Sequence, residues 1–189
     1  MFIRSERLFL RPVWPEDWTD LLSTIDDEGV VRNLASVPWP YTAADARAFA
    51  QRPQERLLPH FLVTLPTAEG AKLIGSAGLS RDGEDIELGY WIGRAHWGQG
   101  YASEAARAVL SQARALGHRR LVASHFLDNP ASGRVLRKVG FCPTGERRVR
   151  YSAGRQGVAL AQAYALEFDT PNGCGDDDAG GDAKIMRAA

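Results

Sequence analysis

The stretch Glu87-Leu88-Gly89-Tyr90-Trp91-Ile92-Gly93-Arg94-Ala95-His96-Trp97-Gly98-Gln99-Gly100-Tyr101-Ala102 decides how this chain is read. An extended run ends near Gly93, a short loop carrying Gly98 and Gly100 follows, and a helix starts at once. From Tyr101 to Leu116, Ala102, Ala106, Val109, Ala113 and Leu116 share one helical face, while Ser103, Glu104, Arg107, Ser111 and Arg114 lie elsewhere. Glycine permits left-handed backbone and lets a ligand approach the main chain closely. The first helical turn adds unpaired N–H groups and a positive dipole end, so the junction suits a phosphate or pyrophosphate. Taken alone, two glycines so spaced are more often a plain strand-to-helix turn, because short glycine motifs match often by chance. No Gly-Lys-Ser/Thr follows, which excludes the Walker pattern, and the third glycine of a dinucleotide fingerprint is missing.

Upstream of this stretch, strands are expected over His60–Leu65, Lys72–Ser80 and Asp85–Gly93. The turns Thr67-Ala68-Glu69-Gly70 and Arg81-Asp82-Gly83-Glu84 between them are short, which predicts an antiparallel meander. Earlier still, Arg7–Val13 reads as a first strand stopped by Pro12 and Pro15. A helix over Pro15–Ile25 carries Trp18, Leu21, Leu22 and Ile25 at helical spacing, and Val37-Pro38-Trp39-Pro40-Tyr41 must be loop. Thr42 then caps a helix over Ala43–Gln51, with Asp45 closing an acidic capping box.

Downstream, Gly117 ends the amphipathic helix and Arg119–Phe126 reads as a strand. Strand, helix and strand in that order predict a parallel pair joined by a crossover. Asn129 and Pro130 open a second helix as N-cap and first residue, with Val135, Leu136 and Val139 apolar and Gly140 as its stop. Strands over about Cys142–Tyr151 and Val158–Phe168 follow. From Thr170 the composition turns to Gly, Asp and Ala, which predicts a disordered tail over 170–189 behind one domain over 1–169. The expected class is α/β (α+β): a mixed, mostly antiparallel sheet of about seven strands with helices on both faces.

The chain has 189 residues, enough for one domain with a sizeable core. Its formal net charge of zero gives no global attraction to nucleic acid or an anionic membrane, so neither is expected as a partner. Charges at the N-terminus argue against a signal peptide, and no run approaches the roughly 20 apolar residues of a membrane span, so the cytoplasm is the default location. Cys142 and Cys174 form neither a disulfide framework nor a metal-type spacing, and no metal is expected. Cys142 reads as a buried or half-buried small residue and Cys174 as an exposed thiol.

The ordered set of motifs resembles the GNAT superfamily of N-acetyltransferases, and within it the RimJ/RimL type that acetylates N-termini of ribosomal proteins. The resemblance rests on Arg7-Leu8-Phe9-Leu10-Arg11-Pro12, Leu73-Ile74-Gly75 with Gly78, Glu87-Leu88-Gly89-Tyr90-Trp91-Ile92, Trp97-Gly98-Gln99-Gly100-Tyr101-Ala102, Asn129-Pro130-Ala131-Ser132 and Val139-Gly140-Phe141. It covers about residues 3–169. The superfamily's pyrophosphate loop commonly reads Gln/Arg-x-x-Gly-x-Gly/Ala; here Trp97 takes the first position, with Gly100 and Ala102 last.

The resemblance implies that acetyl-CoA enters a gap between two splayed parallel strands. It implies pyrophosphate contacts with the N–H groups of Trp97, Gly98, Gln99, Gly100, Tyr101, Ala102 and Ser103. Trp91, Ile92 and Gly93 would flank the thioester, with an N–H near Ile92 polarising its carbonyl, a kind of donor worth roughly 2.7–4 kcal/mol. Asn129 would touch the pantetheine, and Ser132 would sit near the departing sulfur as its proton donor. Glu87 is the candidate base for the amine, acting through water. A peptide α-amino group, with a pKa of about 7.7–8.0, asks far less of a base than a lysine at about 10.4.

Each assignment has a plainer counterpart: Asn129 and Ser132 as helix capping, Glu87 as a salt-bridged carboxylate on a sheet face. His96 and His125 flank the site; Arg134, Arg137 and Lys138 form a basic face open to a CoA phosphate. Trp39, Tyr41 and Tyr164 fit pocket or core alike. The acceptor is a protein N-terminus or a small amine, its choice resting with residues 28–56 and 145–157. Asp26, Asp27 and Glu28 are the one acidic cluster a polyamine would use, and they fit a helix end equally well. A non-catalytic acetyl-CoA sensor would keep Gly98, Gly100 and Asn129 without a working acid–base pair. A homodimer is compatible with all of these readings.

Overall fold

A computed structural model describes residues 1–168. Eight strands form one sheet in the order β1-β2-β3-β4-β5-β6-β8-β7. They are β1 (Ile3–Arg4), β2 (Phe9–Pro12), β3 (His60–Thr67), β4 (Gly70–Asp82), β5 (Asp85–Ile92), β6 (Arg120–Phe126), β7 (Cys142–Ser152) and β8 (Gly157–Glu167). Five helices accompany them: α1 (Trp18–Ile25), α2 (Glu28–Val31), α3 (Ala43–Ala50), α4 (Tyr101–Ala115) and α5 (Pro130–Lys138). Two elements escape the sequence reading, β1 and α2, because two and four residues are too short to leave a periodicity. The stretch 170–189, with Cys174, lies outside the described residues; Cys142 is half-buried at the start of β7.

Alternation along the strands builds two cores. Phe61 and Val63 face one side of the sheet with Ile74, while Leu62 and Leu73 face the other. The first core takes the apolar stripe of α4, namely Ala105, Ala106, Val109 and Ala113, together with Leu136 of α5. The second takes Leu21 and Ile25 of α1, Val30 and Val31 of α2, and Ala46 and Ala50 of α3. Tyr41 is buried and Trp39 partly buried in this second core, which is the packing reading of both. Tyr164 is buried in the first core.

Every neighbouring pair is antiparallel except β5 and β6, which share a single parallel register, Glu87 with Val122. Beyond it, Leu88–Ile92 and Ala123–Phe126 share no ladder. The crossover through α4 enforces the parallel direction, and the sheet opens where β5 and β6 part. β8 inserts between β6 and β7, so the last hairpin brings its tip back toward α2: the Ser152 hydroxyl donates to the Leu34 carbonyl at 2.7 Å.

Candidate active site

A cleft of about 840 Å³ occupies the gap between β5 and β6. Of the residues expected there, Glu87, Trp91, Ile92, Trp97, Gly98, Gly100, Tyr101, Ala102, Ser103, Asn129 and Ser132 line it, whereas Gly93 and Gln99 do not. The Gly93 N–H is turned to β4, donating to the Ile74 carbonyl at 2.8 Å. By strand alternation, the main-chain groups of Ile92 then face the gap. The Trp97 indole donates to the Ile92 carbonyl at 2.6 Å, so the residue that departs from the usual loop pattern ties the loop to the strand end.

Gly98 and Gly100 have φ of +75° and +82°, left-handed angles that side chains rarely adopt. Gly100 is the N-cap of α4, and no side chain caps that helix, in contrast to Thr42 on α3 and Asn129 on α5. A cradle of bare main-chain donors at a helix N-terminus fits an anionic diphosphate. The loop is braced from the first hairpin. Arg7 donates to the Gln99 carbonyl at 3.1 Å and to Glu104 Oε2 at 2.8 Å, and its guanidinium lies 4.6 Å from the Tyr101 ring centre. Burial pushes the Glu104 carboxyl up, but hydrogen bonds from Arg7 and Ser5 outweigh it and hold the group below the usual carboxylate range.

The other half of the cleft is built from side chains. Arg150 of β7 forks onto both Glu87 oxygens and also donates to Ser124, while Ser124 donates to Glu87 Oε1 at 3.1 Å. Glu87 is thus an ion-paired carboxylate on the cleft wall, and hydrogen bonding to it keeps Arg150 more firmly charged than usual. Asp128, just past the end of β6, accepts two hydrogen bonds from Arg155 at 2.8 Å and one from Arg32 at 3.0 Å. Those Arg155 bonds lead in lowering its pKa. Asp27 accepts from the Val30 N–H and pairs with Arg94 at 3.3 Å, the role of a helix cap.

Sequence reading did not single out Ser124, Asp128, Arg150 or Arg155. Their partners lie far off in the chain, and the one visible signal is the basic run from Arg147 to Arg155, inside the segment expected to set specificity. Arg134 and Lys138 line the cleft, but Arg137 turns inward and donates to the Tyr164 hydroxyl at 3.0 Å. Tyr164 lies 3.3 Å from His125 Nε2, and His125 Nδ1 lies 2.8 Å from the Phe126 carbonyl. A carbonyl only accepts, so Nδ1 is the donor of that bond. A Cβ on Gly133 would fall 2.5 Å from that Nε2; glycine there lets α5 sit against β6 and brings Ser132 to the cleft. Among the described residues, no three His, Cys, Asp or Glu side chains are placed to hold a metal ion.

Comparisons with known proteins bear on the family and the fold. The family model described as an acetyltransferase (GNAT) domain matches residues 7–142. A Bacillus subtilis protein described as an uncharacterized N-acetyltransferase, YoaA, is 30% identical over 152 residues, covering 77% of this chain and 85% of its own. The crystal structure of a GNAT-family acetyltransferase from Bacillus anthracis superposes with a TM-score of 0.75 at 26% identity, covering 88% of this chain and 98% of that one. RimL, described as a ribosomal L7/L12 alpha-N-protein acetyltransferase in complex with coenzyme A, shares the fold with a TM-score of 0.71 at 20% identity, covering 89% and 99%.

Proposed function

This chain belongs to the GNAT family of acetyltransferases and is an acetyl-CoA-dependent acyltransferase, and we propose that its acceptor is the α-amino group of a protein or peptide N-terminus. The observation that carries this acceptor is the pairing of the acids. Of the described residues lining the cleft only Glu87 and Asp128 bear carboxylates, and arginines already hold both. A polyamine or aminoglycoside needs unpaired acids to balance several positive charges, and this wall offers none.

A partly neutral acceptor fits the same wall. Both Glu87 oxygens are engaged by Arg150, and an α-amine, with a pKa of about 7.7–8.0, asks less of a base acting through water than a lysine does. The N–H groups of Gly98 and of Gly100 through Ser103 hold the pyrophosphate, since the Trp97 N–H already donates to the Arg94 carbonyl at 3.2 Å and Gln99 lies off the cleft; Asn129 lies along the pantetheine, and the Ile92 N–H faces the thioester carbonyl. Ser132 Oγ gives a proton to sulfur as the C–S bond breaks. RimL, which shares the fold, is described as an alpha-N-protein acetyltransferase, the same class of acceptor.

Thiol release from acetyl-CoA, followed across a panel of acceptors, tests the reading. Release is expected with peptides beginning in Ala or Ser, and not with spermidine, an aminoglycoside or the same peptides blocked at Nα. Release with small amines alone would move the acceptor to a metabolite or drug. Saturable CoA binding with no release from any acceptor would favour a sensor.

A further inference from the structure

Ser132 stands in the first turn of α5 with a neighbour that the family pattern does not explain. The Tyr90 hydroxyl, arriving from β5, lies 2.9 Å from Ser132 Oγ and 3.2 Å from the Ser132 carbonyl. Both side chains line the cleft. The Ser132 N–H is already committed to the Asn129 side chain at 3.3 Å, so the residue is tied at its N–H, carbonyl and hydroxyl.

A tyrosine hydroxyl has one proton, and here it has two acceptors on the same residue. While Tyr90 donates to the carbonyl, the Ser132 proton can rest on the Tyr90 oxygen. When the Ser132 proton goes elsewhere, the Tyr90 O–H turns to Oγ. Burial pushes the Tyr90 hydroxyl up to about 12, with the Ser132 hydrogen bond opposing it only in part, so the donor stays protonated at any ordinary working pH. A bare strut between β5 and α5 would need only one of these contacts.

We propose that Tyr90 is a positioning residue for the acid step: it aims Ser132 Oγ–H at the departing sulfur and hydrogen-bonds that oxygen as its proton leaves. The inference rests on the reading of Ser132 as proton donor. As the C–S bond breaks, its electron pair stays on sulfur and Ser132 Oγ supplies the proton. Oγ regains one from the proton the amine released, carried by water. One proton thus leaves nitrogen and one reaches sulfur.

The test is a double-mutant cycle of Tyr90→Phe and Ser132→Ala, reading kcat, the KM and Kd of acetyl-CoA, and thermal stability. Phenylalanine keeps the ring and removes only the oxygen. Tyr90→Phe is expected to lower kcat about 10-fold with Kd within about twofold, and to add nothing in the Ser132→Ala background. Independent, multiplying losses, or a weakened Kd with kcat intact, would reduce Tyr90 to a strut and overturn the inference. Full kcat in Ser132→Ala would instead bring down the reading of Ser132 itself. A low kcat there beside an unaffected Tyr90→Phe would bring down Tyr90 alone.

Discussion

The two halves of the cleft are built by different means. The half at the start of α4 presents main-chain N–H groups on a loop shaped by Gly98 and Gly100, and side chains only brace it from behind. The opposite half is built from paired side chains: Glu87, Ser124 and Arg150 form one closed set, Asp128, Arg155 and Arg32 another. Backbone recognition needs only the right φ and ψ, so it tolerates Trp97 where Gln or Arg is usual. Side-chain recognition depends on which residues meet, so in the proposed function this half chooses the acceptor.

The sharpest way to break this contrast is Gly100→Glu. A side chain at φ +82° is strained by about 1–2 kcal/mol, and its Cβ would lie 3.5 Å from the Arg7 guanidinium that braces the loop, so the new carboxylate would disturb both. Acetyl-CoA affinity by calorimetry should fall about 1000-fold or more, roughly 4 kcal/mol; undiminished binding would sink the pyrophosphate assignment. Ser132→Ala should separate the halves differently, lowering kcat about 100-fold at unchanged CoA affinity. On the acceptor side, Arg150→Ala leaves Glu87 uncompensated on a wall where its side chain is 15% exposed. A loss of about 2 kcal/mol in urea unfolding and a raised acceptor KM are expected, with CoA affinity kept; equal losses at both sites would show that the halves are coupled.

The smallest effect concerns a control outside both halves. Burial lowers the pKa of His60 to about 4 from its ordinary 6.5, and its Nε2 sits 2.7 Å from Ser76 Oγ. Between those values the unfolded chain binds a proton that the folded chain refuses, so this contribution to stability is full above 6.5 and shrinks as pH falls toward 4. About 1.4 kcal/mol should be lost between pH 7.5 and 5.5, and His60→Gln should flatten that slope without altering acetyl-CoA affinity. A slope that persists in the variant would assign the acid sensitivity to other groups.

The contrast also explains what was legible. The loop and α4 could be read because glycine spacing and a helical stripe are local, and so could the Asn129 and Thr42 caps. Glu87 could be named but not its state, because Arg150 lies 63 residues away and meets it only after β8 has inserted beside β6. Tyr90 was visible only as part of a strand; its link to Ser132 spans 42 residues and depends on glycine at 133 letting α5 settle against β6.

By itself, then, the sequence determined the family, the meander, the parallel crossover and the glycine-shaped loop that opens α4, since each follows from short-range periodicity, turn chemistry and backbone freedom. Only the tertiary structure decided which carboxylates are paired, which hydroxyl backs Ser132 and which of the helix-face arginines turns inward. Those outcomes depend on distances between residues far apart in the chain, and packing sets them.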